Sequence, residues 1–212
     1  KQGGISGIST GLIDLDKKLG GLHSSDLLII AGRPSMGKTS LATNMAFSIA
    51  NSFKTKENED GSRTLLNGGI VGFFSLEMSS AQLATRILSE NSKVPSDKIR
   101  KGDLSEQDFR NFIEAAQSLD QCPLYIDDTA ALSISALAGR ARRLKRMHGL
   151  DVLFVDYLQL IRPSTNRDSR VNEISEITQG LKSIAKELNI PVVALSQLSR
   201  QVETRDDKRP QL

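Results

Sequence analysis

Short apolar runs alternate with longer amphipathic stretches along most of the chain. Because the runs are continuously apolar rather than alternating, they favour strands that are covered on both faces. Strands separated by helices favour a parallel sheet, so the pattern predicts an α/β fold with a mostly parallel central sheet flanked by helices on both faces. The predicted strands are LLIIAG from Leu27, GIVGFFSL from Gly69, PLYID from Pro123, DVLFVDYLQL from Asp151 and PVVALSQ from Pro191.

The clearest predicted helix runs from Ser105 to Leu119, between the second and third apolar runs. Ser105 and Asp108 have the spacing of a capping box at its start. Its apolar residues recur at the spacing of one helical face: Phe109, Phe112, Ile113 and Ala116. The stretch from Lys54 to Gly68 is polar and is expected to be a surface insertion.

The bulk composition suits one large domain over residues 1–212, since 38% of the residues are hydrophobic and 25% are charged. No apolar run approaches the roughly 18 to 20 residues of a membrane span, and the N-terminus lacks the order of a signal peptide, so a cytoplasmic location is expected. The single cysteine, Cys122, cannot form an internal disulfide and is expected to be a buried structural thiol. A net charge of +3 permits a polyanionic partner without requiring one.

The stretch GRPSMGKT, from Gly32 to Thr39, matches the phosphate-loop pattern G-x-x-x-x-G-K-[ST] and follows directly on an apolar run. In such a loop the backbone N–H groups point at phosphate oxygens, and the helix that follows adds the positive end of its dipole. Lys38 is expected to pair with the β- and γ-phosphates, and the Thr39 hydroxyl to ligate Mg²⁺. The predicted nucleotide-binding residues are Gly32, Arg33, Pro34, Ser35, Met36, Gly37, Lys38, Thr39 and Ser40.

Polar residues end three of the other apolar runs, at the edge where an open parallel sheet binds its ligands. Asp156 is the predicted carboxylate for the magnesium ion and its water. Tyr157 follows it, so a water-activating carboxylate must come from elsewhere, and Glu77 is the best placed. Gln197 offers an amide that could contact the γ-phosphate. Each of these residues has a plainer alternative. Asp156 could be an ordinary acid at a strand end, and Gln197 an ordinary polar residue at a strand end. Glu77 could instead interact favourably with the dipole of a helix that begins near Ser79.

The remaining polar motifs carry less information. The chain has no Asn-Lys-x-Asp motif of the kind that reads guanine, which favours ATP over GTP. Asp127 and Asp128 are expected to be turn or cap residues.

The basic stretch from Gly139 to His148 predicts a helix that Leu144 and Met147 anchor by an apolar stripe while its cations face water, in preference to a DNA contact. His23 and His148 have no partners at the spacing of metal ligands.

Taken together, these motifs resemble the RecA-like superfamily of ATPases, and within it the C-terminal motor domain of the bacterial replicative DNA helicases of the DnaB family. The resemblance covers nearly all of the chain. It is carried by STGLIDLDKKLGGL (9–22), AGRPSMGKTSLA (31–42), FFSLEMS (73–79), VDYLQLI (155–161) and VVALSQLSRQVE (192–203).

The resemblance implies an ATP-dependent helicase motor that moves along single-stranded DNA and unwinds the duplex at the replication fork. Lys38 and Thr39 would hold Mg-ATP and Asp156 would position the metal. Glu77 would activate water, and Gln197 would sense the γ-phosphate. These roles agree with the chemistry of the residues themselves.

The resemblance also implies a homo-hexameric ring with nucleotide at each interface, DNA in its channel, and primase and a helicase loader as partners. The candidate DNA contact is the loop RPSTNRDSR, in which Arg162, Arg167 and Arg170 suit phosphates. The alternative is a solvated flexible loop, because Asp168 offsets part of the positive charge and the loop has no aromatic residue on which a DNA base could stack.

The chain departs from the family pattern at both ends, so a domain truncated at both ends is expected. The family's helical N-terminal domain and linker would precede it, and the last strands and an arginine finger would follow. Without that arginine, weak hydrolysis is expected. Two other functions remain open: a RecA/RadA-like recombination or repair ATPase that uses ATP as a switch, and a phosphate-binding scaffold in which Glu77 and Asp156 are structural.

Overall fold

The computed structural model describes residues 5–61, 63–162 and 170–198 of the chain. The strands within these ranges are β1 (Leu27–Gly32), β2 (Lys54–Glu57), β3 (Arg63–Asn67), β4 (Val71–Ser75), β5 (Leu124–Asp127), β6 (Val152–Asp156) and β7 (Val192–Gln197). The helices are α1 (Ile13–Leu19), α2 (Lys38–Asn51), α3 (Ser80–Ser92), α4 (Ser96–Lys101), α5 (Glu106–Gln121), α6 (Ile134–His148) and α7 (Arg170–Leu188), and a short 3-10 turn spans Leu158–Leu160.

A parallel sheet of five strands, in the order β1-β7-β6-β4-β5, forms the centre of the fold. The predicted strands and their parallel pairing are therefore confirmed. The register places Gly32 opposite Gln197 and Ser75 opposite Asp156, so the carboxyl ends of β1, β4, β6 and β7 meet at one edge. That edge is where the predicted site residues lie.

Alternate residues of the sheet enter two cores, one on each face. In β6, Leu153 and Val155 pack with residues of α6 and α7, whereas Val152 and Phe154 pack with residues of α2 and α3. Phe154 stacks on Phe73 with ring centroids 5.7 Å apart, and burying a side chain of this size contributes about 1.5–3 kcal/mol. Helices thus cover both faces, as predicted, which explains why the strand sequences are apolar throughout.

The segment before β1 is held together by the buried side chain of Asp16 in α1. Its carboxylate accepts hydrogen bonds from the Ser9 hydroxyl (2.6 Å), the Thr10 N–H (2.9 Å) and the Thr10 hydroxyl (2.8 Å). Burial alone raises the pKa of Asp16, but these hydrogen bonds outweigh it and hold that pKa below its usual value. The lead-in motif STGLIDLD is therefore a local hydrogen-bonded unit that stabilises the start of the fold.

The predicted surface insertion is an antiparallel hairpin of β2 and β3 that stands apart from the central sheet. Every residue of both strands that the structure describes is exposed. The surface location is confirmed, whereas the hairpin itself was not predicted from the polar composition.

The predicted capping box of α5 is confirmed by two hydrogen bonds. Asp108 N–H donates to Ser105 Oγ (3.1 Å), and Ser105 N–H donates to the Asp108 carboxylate (3.3 Å). The apolar face inferred from spacing is only partly covered, because α5 fully buries Ala115 while Phe109 and Ile113 remain exposed. Spacing predicted the helix correctly but not the face that it buries.

The basic helix α6 is anchored on the core by Leu137 and Ala141, with Leu144 packed against it from the edge. Met147 is exposed, so the prediction that it anchors the helix is wrong. The cations face the surface as expected, and Arg142 makes a bidentate pair with Glu187 at 2.6 and 2.8 Å.

Cys122 is half-buried rather than fully buried, and burial raises the pKa of its thiol. Its sulfur lies 3.2 Å from the Leu119 carbonyl oxygen, to which the thiol donates. A structural role fits this environment. No helix in the described ranges combines the length and the apolarity that crossing a membrane requires.

Candidate active site

The predicted phosphate loop connects β1 to α2 and depends on two glycines for different reasons. Gly37, which precedes the first residue of α2, has a φ of 80°, a conformation that side chains with a Cβ rarely adopt. At Gly32 the reason is space, because a Cβ there would lie 3.2 Å from the Cγ and Cδ atoms of Lys38. The glycines therefore permit the turn itself and the close approach of the lysine side chain.

The N-terminus of α2 faces this loop. Its first intrahelical hydrogen bond is donated by Leu41 to the Gly37 carbonyl (2.9 Å), so the N–H groups of the preceding residues are directed towards the loop. The first turn of α2 carries no acidic residue that would offset the positive end of the helix dipole. Lys38 Nζ donates to the Arg33 carbonyl oxygen at 2.7 Å, which folds its side chain back over the loop. Together these groups have the arrangement that binds anions at helix N-termini.

Thr39 and Asp156 meet at the edge of the sheet. The Thr39 hydroxyl donates to Asp156 Oδ2 at 2.8 Å, although 117 residues of chain separate the two. Thr39 lies in the first turn of α2, and Asp156 is the last residue of β6. The central strand thus places its terminal carboxylate beside the end of the phosphate loop, and a shared metal site there stays a prediction.

Asp156 is only 1% exposed, and its electrostatic surroundings show which groups lie near it. Burial raises the pKa of Asp156, and the negative charge of Glu77 raises it further. The Thr39 hydrogen bond and the charges of Lys38 and Arg86 act in the opposite direction. Two cations and a second carboxylate therefore lie close enough to Asp156 to act on its charge.

The oxygen donors at this point fit a magnesium ion of the kind that nucleotides carry. Thr39 offers a hydroxyl and Asp156 a carboxylate, both hard ligands within hydrogen-bonding distance of each other. Within the described residues there is no group of three or more His, Cys, Asp and Glu side chains that could hold a metal ion by themselves. Mg²⁺ typically keeps several waters and shares its ligands with phosphates, so one or two protein oxygens are sufficient.

Glu77 is exposed just beyond the end of β4. The turn that carries it is fixed by two hydrogen bonds, from Leu76 N–H to the Asp156 carbonyl oxygen (2.8 Å) and from Ser75 Oγ to the Met78 carbonyl oxygen (2.7 Å). Glu77 also precedes the N-cap of α3 by two residues, so it lies outside the first turn of that helix. This position does not favour the alternative in which Glu77 serves the dipole of α3.

Gln197 is exposed at the end of β7, in register with Gly32. Its backbone is held on both sides of the strand: Leu198 N–H donates to the Gly32 carbonyl oxygen (3.0 Å), and Gln197 N–H donates to Gln159 Oε1 (3.1 Å). The structure thus places Gln197 beside the first residue of the phosphate loop, where a γ-phosphate sensor is expected.

Sequence reasoning missed a second charged pair beside the loop. Glu90, on α3, accepts a hydrogen bond from the Ser40 side chain; burial raises the pKa of Glu90, while the charges of Arg86 and Lys93 lower it. Arg86 therefore acts on both Glu90 and Asp156. The spacing of Arg86 and Glu90 on one helical face after the SLEMS motif was the available signal.

The two acids at the end of β5, Asp127 and Asp128, are turn and cap residues, as predicted. Asp128 accepts from Ser80 N–H at 2.7 Å at the start of α3. Asp127 accepts from Thr129 N–H at 3.0 Å and pairs with Arg140 at 2.6 Å. Neither acid is needed for the site at the end of β6.

The predicted DNA loop is only partly described. Arg162 is exposed, and its backbone is anchored by Arg162 N–H donating to the Leu132 carbonyl oxygen (2.9 Å) and Ile134 N–H donating to the Arg162 carbonyl oxygen (3.2 Å). Arg167 and the side chain of Arg170 lie outside the described residues. The grouping of the three arginines therefore stays a prediction.

Comparison with known proteins places the chain in a family. The chain matches the family model described as the DnaB-like helicase C terminal domain over residues 7–212. It is 57% identical over 208 residues to replicative DNA helicase DnaB of Rickettsia typhi, which covers 98% of this chain and 41% of that protein. It is 43% identical over 213 residues to replicative DNA helicase DnaC of Bacillus subtilis, which covers 100% of this chain and 44% of that protein. The chain thus spans less than half the length of these relatives.

Solved structures agree with the sequence comparisons. A DnaB-like replicative helicase, described together with its interactions with primase, superposes with a TM-score of 0.86 at 34% identity over 99% of this chain and 48% of that one. A second solved structure, described as an ATPase domain, gives the same TM-score and identity over 100% of this chain and 70% of that one. The fold is therefore RecA-like, as predicted.

Proposed function

Because this chain belongs to the DnaB-like helicase C-terminal domain family, we propose that it is the motor part of an ATP-dependent replicative DNA helicase. In this proposal the protein binds and hydrolyses Mg-ATP, moves along single-stranded DNA and unwinds the duplex at the replication fork. The observation that carries the proposal is the 2.8 Å hydrogen bond between Thr39 and Asp156, which joins the phosphate loop to the end of β6.

The phosphates of ATP bind in the loop at residues 33–37, against the N–H groups at the start of α2. The Lys38 ammonium exchanges the Arg33 carbonyl oxygen for oxygens of the β- and γ-phosphates, which are stronger acceptors because they are charged. Mg²⁺, when bound, would neutralise the negative charge that develops on the phosphates during hydrolysis. Thr39 would ligate it directly, and Asp156 would hold one of its waters.

Glu77 orients the attacking water and accepts its proton. The water oxygen forms a bond to the γ-phosphorus while the bond between that phosphorus and the β–γ bridging oxygen breaks, so that ADP and phosphate result. The exposure of Glu77 and its proximity to Asp156 support this role. Gln197, held beside Gly32, contacts the γ-phosphate.

The DNA contact is assigned to Arg162, Arg167 and Arg170, whose charges suit a phosphate backbone and carry no sequence preference. Arg162 is exposed and follows the strand that ends in Asp156, which supports a link between nucleotide and DNA. The assembly proposed is a homo-hexamer with nucleotide at each interface. Primase and a helicase loader are proposed partners, and the DnaB-like helicase described with its primase interactions supports the first of them.

A RecA/RadA-like recombination or repair ATPase is the second candidate that the RecA-like fold permits. It would use ATP as a switch for DNA binding rather than for translocation. The relatives at 57% and 43% identity are named as replicative DNA helicases, so the helicase function is favoured.

The test is ATP-dependent separation of a forked DNA duplex by the full-length protein, with Lys38→Ala as the inactive control. Each single-stranded arm is blocked in turn. Unwinding that stops when one particular arm is blocked is expected, and it would give the direction of travel. DNA binding and ATP turnover without strand separation would favour the recombination-type switch instead.

The nucleotide site is tested separately by the binding of a fluorescent ATP analogue with Mg²⁺. Lys38→Ala should lower the affinity, because it removes the cation that pairs with the phosphates. Lys56→Ala, at an exposed position of the hairpin, is the matched control and should bind normally. Unchanged affinity in Lys38→Ala would show that the phosphates bind elsewhere.

A further inference from the structure

Gln159 is a side chain at the site edge that the proposed mechanism does not use. It lies in the 3-10 turn just after β6 and is half-buried. Its Nε2 donates to Ser196 Oγ (2.9 Å) and to the Gln197 carbonyl oxygen (3.0 Å), and its Oε1 accepts from Gln197 N–H (3.1 Å). Both ends of the carboxamide are therefore committed to the last two residues of β7.

These hydrogen bonds replace a missing strand partner. In a parallel sheet, the N–H and C=O of one residue point to the same neighbouring strand, and those of the next residue point to the other. Leu198 N–H bonds to β1 through Gly32, so Gln197 directs both of its backbone groups to the β6 side. The pairing of β6 with β7 ends at Val155 and Ala194, and the Gln159 amide continues it because it offers the same donor and acceptor as a peptide group.

The turn that carries Gln159 leads directly to Arg162. Leu158 and Ile161 are buried on either side of it, and the Arg162 backbone is hydrogen-bonded to Leu132 and Ile134. The segment from 158 to 162 is thus a short anchored unit that is hydrogen-bonded to the end of β7 through Gln159 and ends at the first of the three arginines. The Gln159 amide is therefore a hydrogen-bonded link between Gln197 and the turn that leads to Arg162.

We propose that Gln159 is a positioning residue that couples the γ-phosphate contact of Gln197 to Arg162, the described arginine of the proposed DNA contact. The inference rests on the proposed function, since it needs Gln197 to contact the phosphate and Arg162 to contact DNA. Gln159 touches neither ligand. It sets the backbone position of Gln197 and moves with it.

The experiment compares three variants of the full-length protein with wild type. Gln159→Ala removes all three hydrogen bonds. Gln159→Glu keeps the length and an acceptor for Gln197 N–H, but it cannot donate and places a carboxylate against the Gln197 carbonyl oxygen. Gln179→Ala, at an exposed position of α7, is the matched control.

The quantity measured is the ratio of two dissociation constants for oligo-dT, one with ADP and one with a non-hydrolysable ATP analogue. In both Gln159 variants this ratio should be closer to one than in wild type, by a factor of about five or more. A factor of about five is at the lower end of the coupling usually found between two binding sites. Gln179→Ala should keep the wild-type ratio. The affinity for the ATP analogue without DNA and the melting temperature are measured in parallel.

Two results would overturn the coupling role: a wild-type ratio in both Gln159 variants, or equal weakening of DNA binding in both nucleotide states with a lowered melting temperature. The second result would mark Gln159 as merely structural. If the alanine variant does not fold, the glutamate variant alone is compared with wild type. The proposed function itself would fail if the wild-type protein bound no DNA or bound it equally in both nucleotide states. That result would be seen before any variant is compared.

Discussion

Replacing Asp156 by asparagine is expected to stabilise the nucleotide-free protein while removing most of its ATP turnover. Asp156 is 1% exposed, and burial together with the charge of Glu77 raises its pKa. A folded state whose carboxyl pKa is raised binds the proton more tightly than the unfolded chain does. The folding free energy therefore becomes less favourable as the pH rises through that raised value, and at neutral pH the ionised carboxylate destabilises the fold.

The size of the effect follows from what the amide keeps and what it removes. Asparagine has nearly the same volume and can still accept the Thr39 hydrogen bond, which is 2.8 Å in the wild type. It removes a buried charge whose hydration is lost on folding. We expect a net gain of about 1 kcal/mol, which corresponds to about 2–4 °C in melting temperature for a domain of this size.

The assay is thermal unfolding at neutral pH, first with EDTA and then with Mg²⁺ and an ATP analogue. Asp156→Asn should melt above wild type in EDTA, yet gain little from the nucleotide, and its turnover should fall about 10- to 100-fold because the metal loses a carboxylate partner. Asp103→Asn, at an exposed position between α4 and α5, should match wild type in all three measurements. A lower melting temperature for Asp156→Asn in EDTA would refute the electrostatic argument, and undiminished turnover would refute the metal role.

Three further outcomes are expected. Glu77→Gln should keep Mg-ATP affinity but lose about 10²- to 10⁴-fold in turnover, measured by phosphate release, because the amide cannot accept the proton from water; normal turnover would place the base elsewhere. Asp16→Asn should lower the free energy of unfolding by about 2 kcal/mol at pH 7, since hydrogen bonds to a charged acceptor are lost. Its difference from wild type, followed by urea unfolding, should shrink as the pH falls through the lowered pKa of Asp16, and a pH-independent difference would contradict this assignment. Arg162→Ala should weaken single-strand binding alike for all sequences and reduce the salt dependence by about one ion, and an unchanged salt slope would exclude Arg162 from the DNA contact.

The sheet and the phosphate loop were predictable because their signals are local. A strand buried on both faces must be largely apolar, so the inner strands β4, β6 and β7 appear as continuous apolar runs. The outer strands β1 and β5 are only partly buried but appear as apolar runs too. A loop that wraps phosphates needs glycine where the backbone turns or is closely approached, as at Gly37 and Gly32. The meeting of Thr39 and Asp156 then follows from the parallel sheet, because carboxyl strand ends share one edge.

Contacts between elements were not predictable, because they depend on how helices and turns pack. Spacing placed Phe109 and Ile113 on one face of α5, but the packing of that helix decides which face is covered, and both remain exposed. Met147 is exposed for the same reason. Arg86 reaches the site from α3 only once that helix is placed beside α2. The spacing of apolar residues within one helix or strand does not show which other elements pack against it.

Backbone hydrogen bonds beyond the paired strands hold two exposed site residues, Glu77 and Gln197, in place. These bonds are Leu76 N–H to Asp156 O (2.8 Å), Leu198 N–H to Gly32 O (3.0 Å) and Gln197 N–H to Gln159 Oε1 (3.1 Å). Glu77 and Gln197 are therefore positioned by main-chain contacts, and substitution of either side chain should change the chemistry with little effect on stability. Asp156 and Gln159 differ, because their own side chains bridge separate elements. Variants at Glu77 and Gln197 are thus separable from variants at Asp156 and Gln159 by stability measurements as well as by activity.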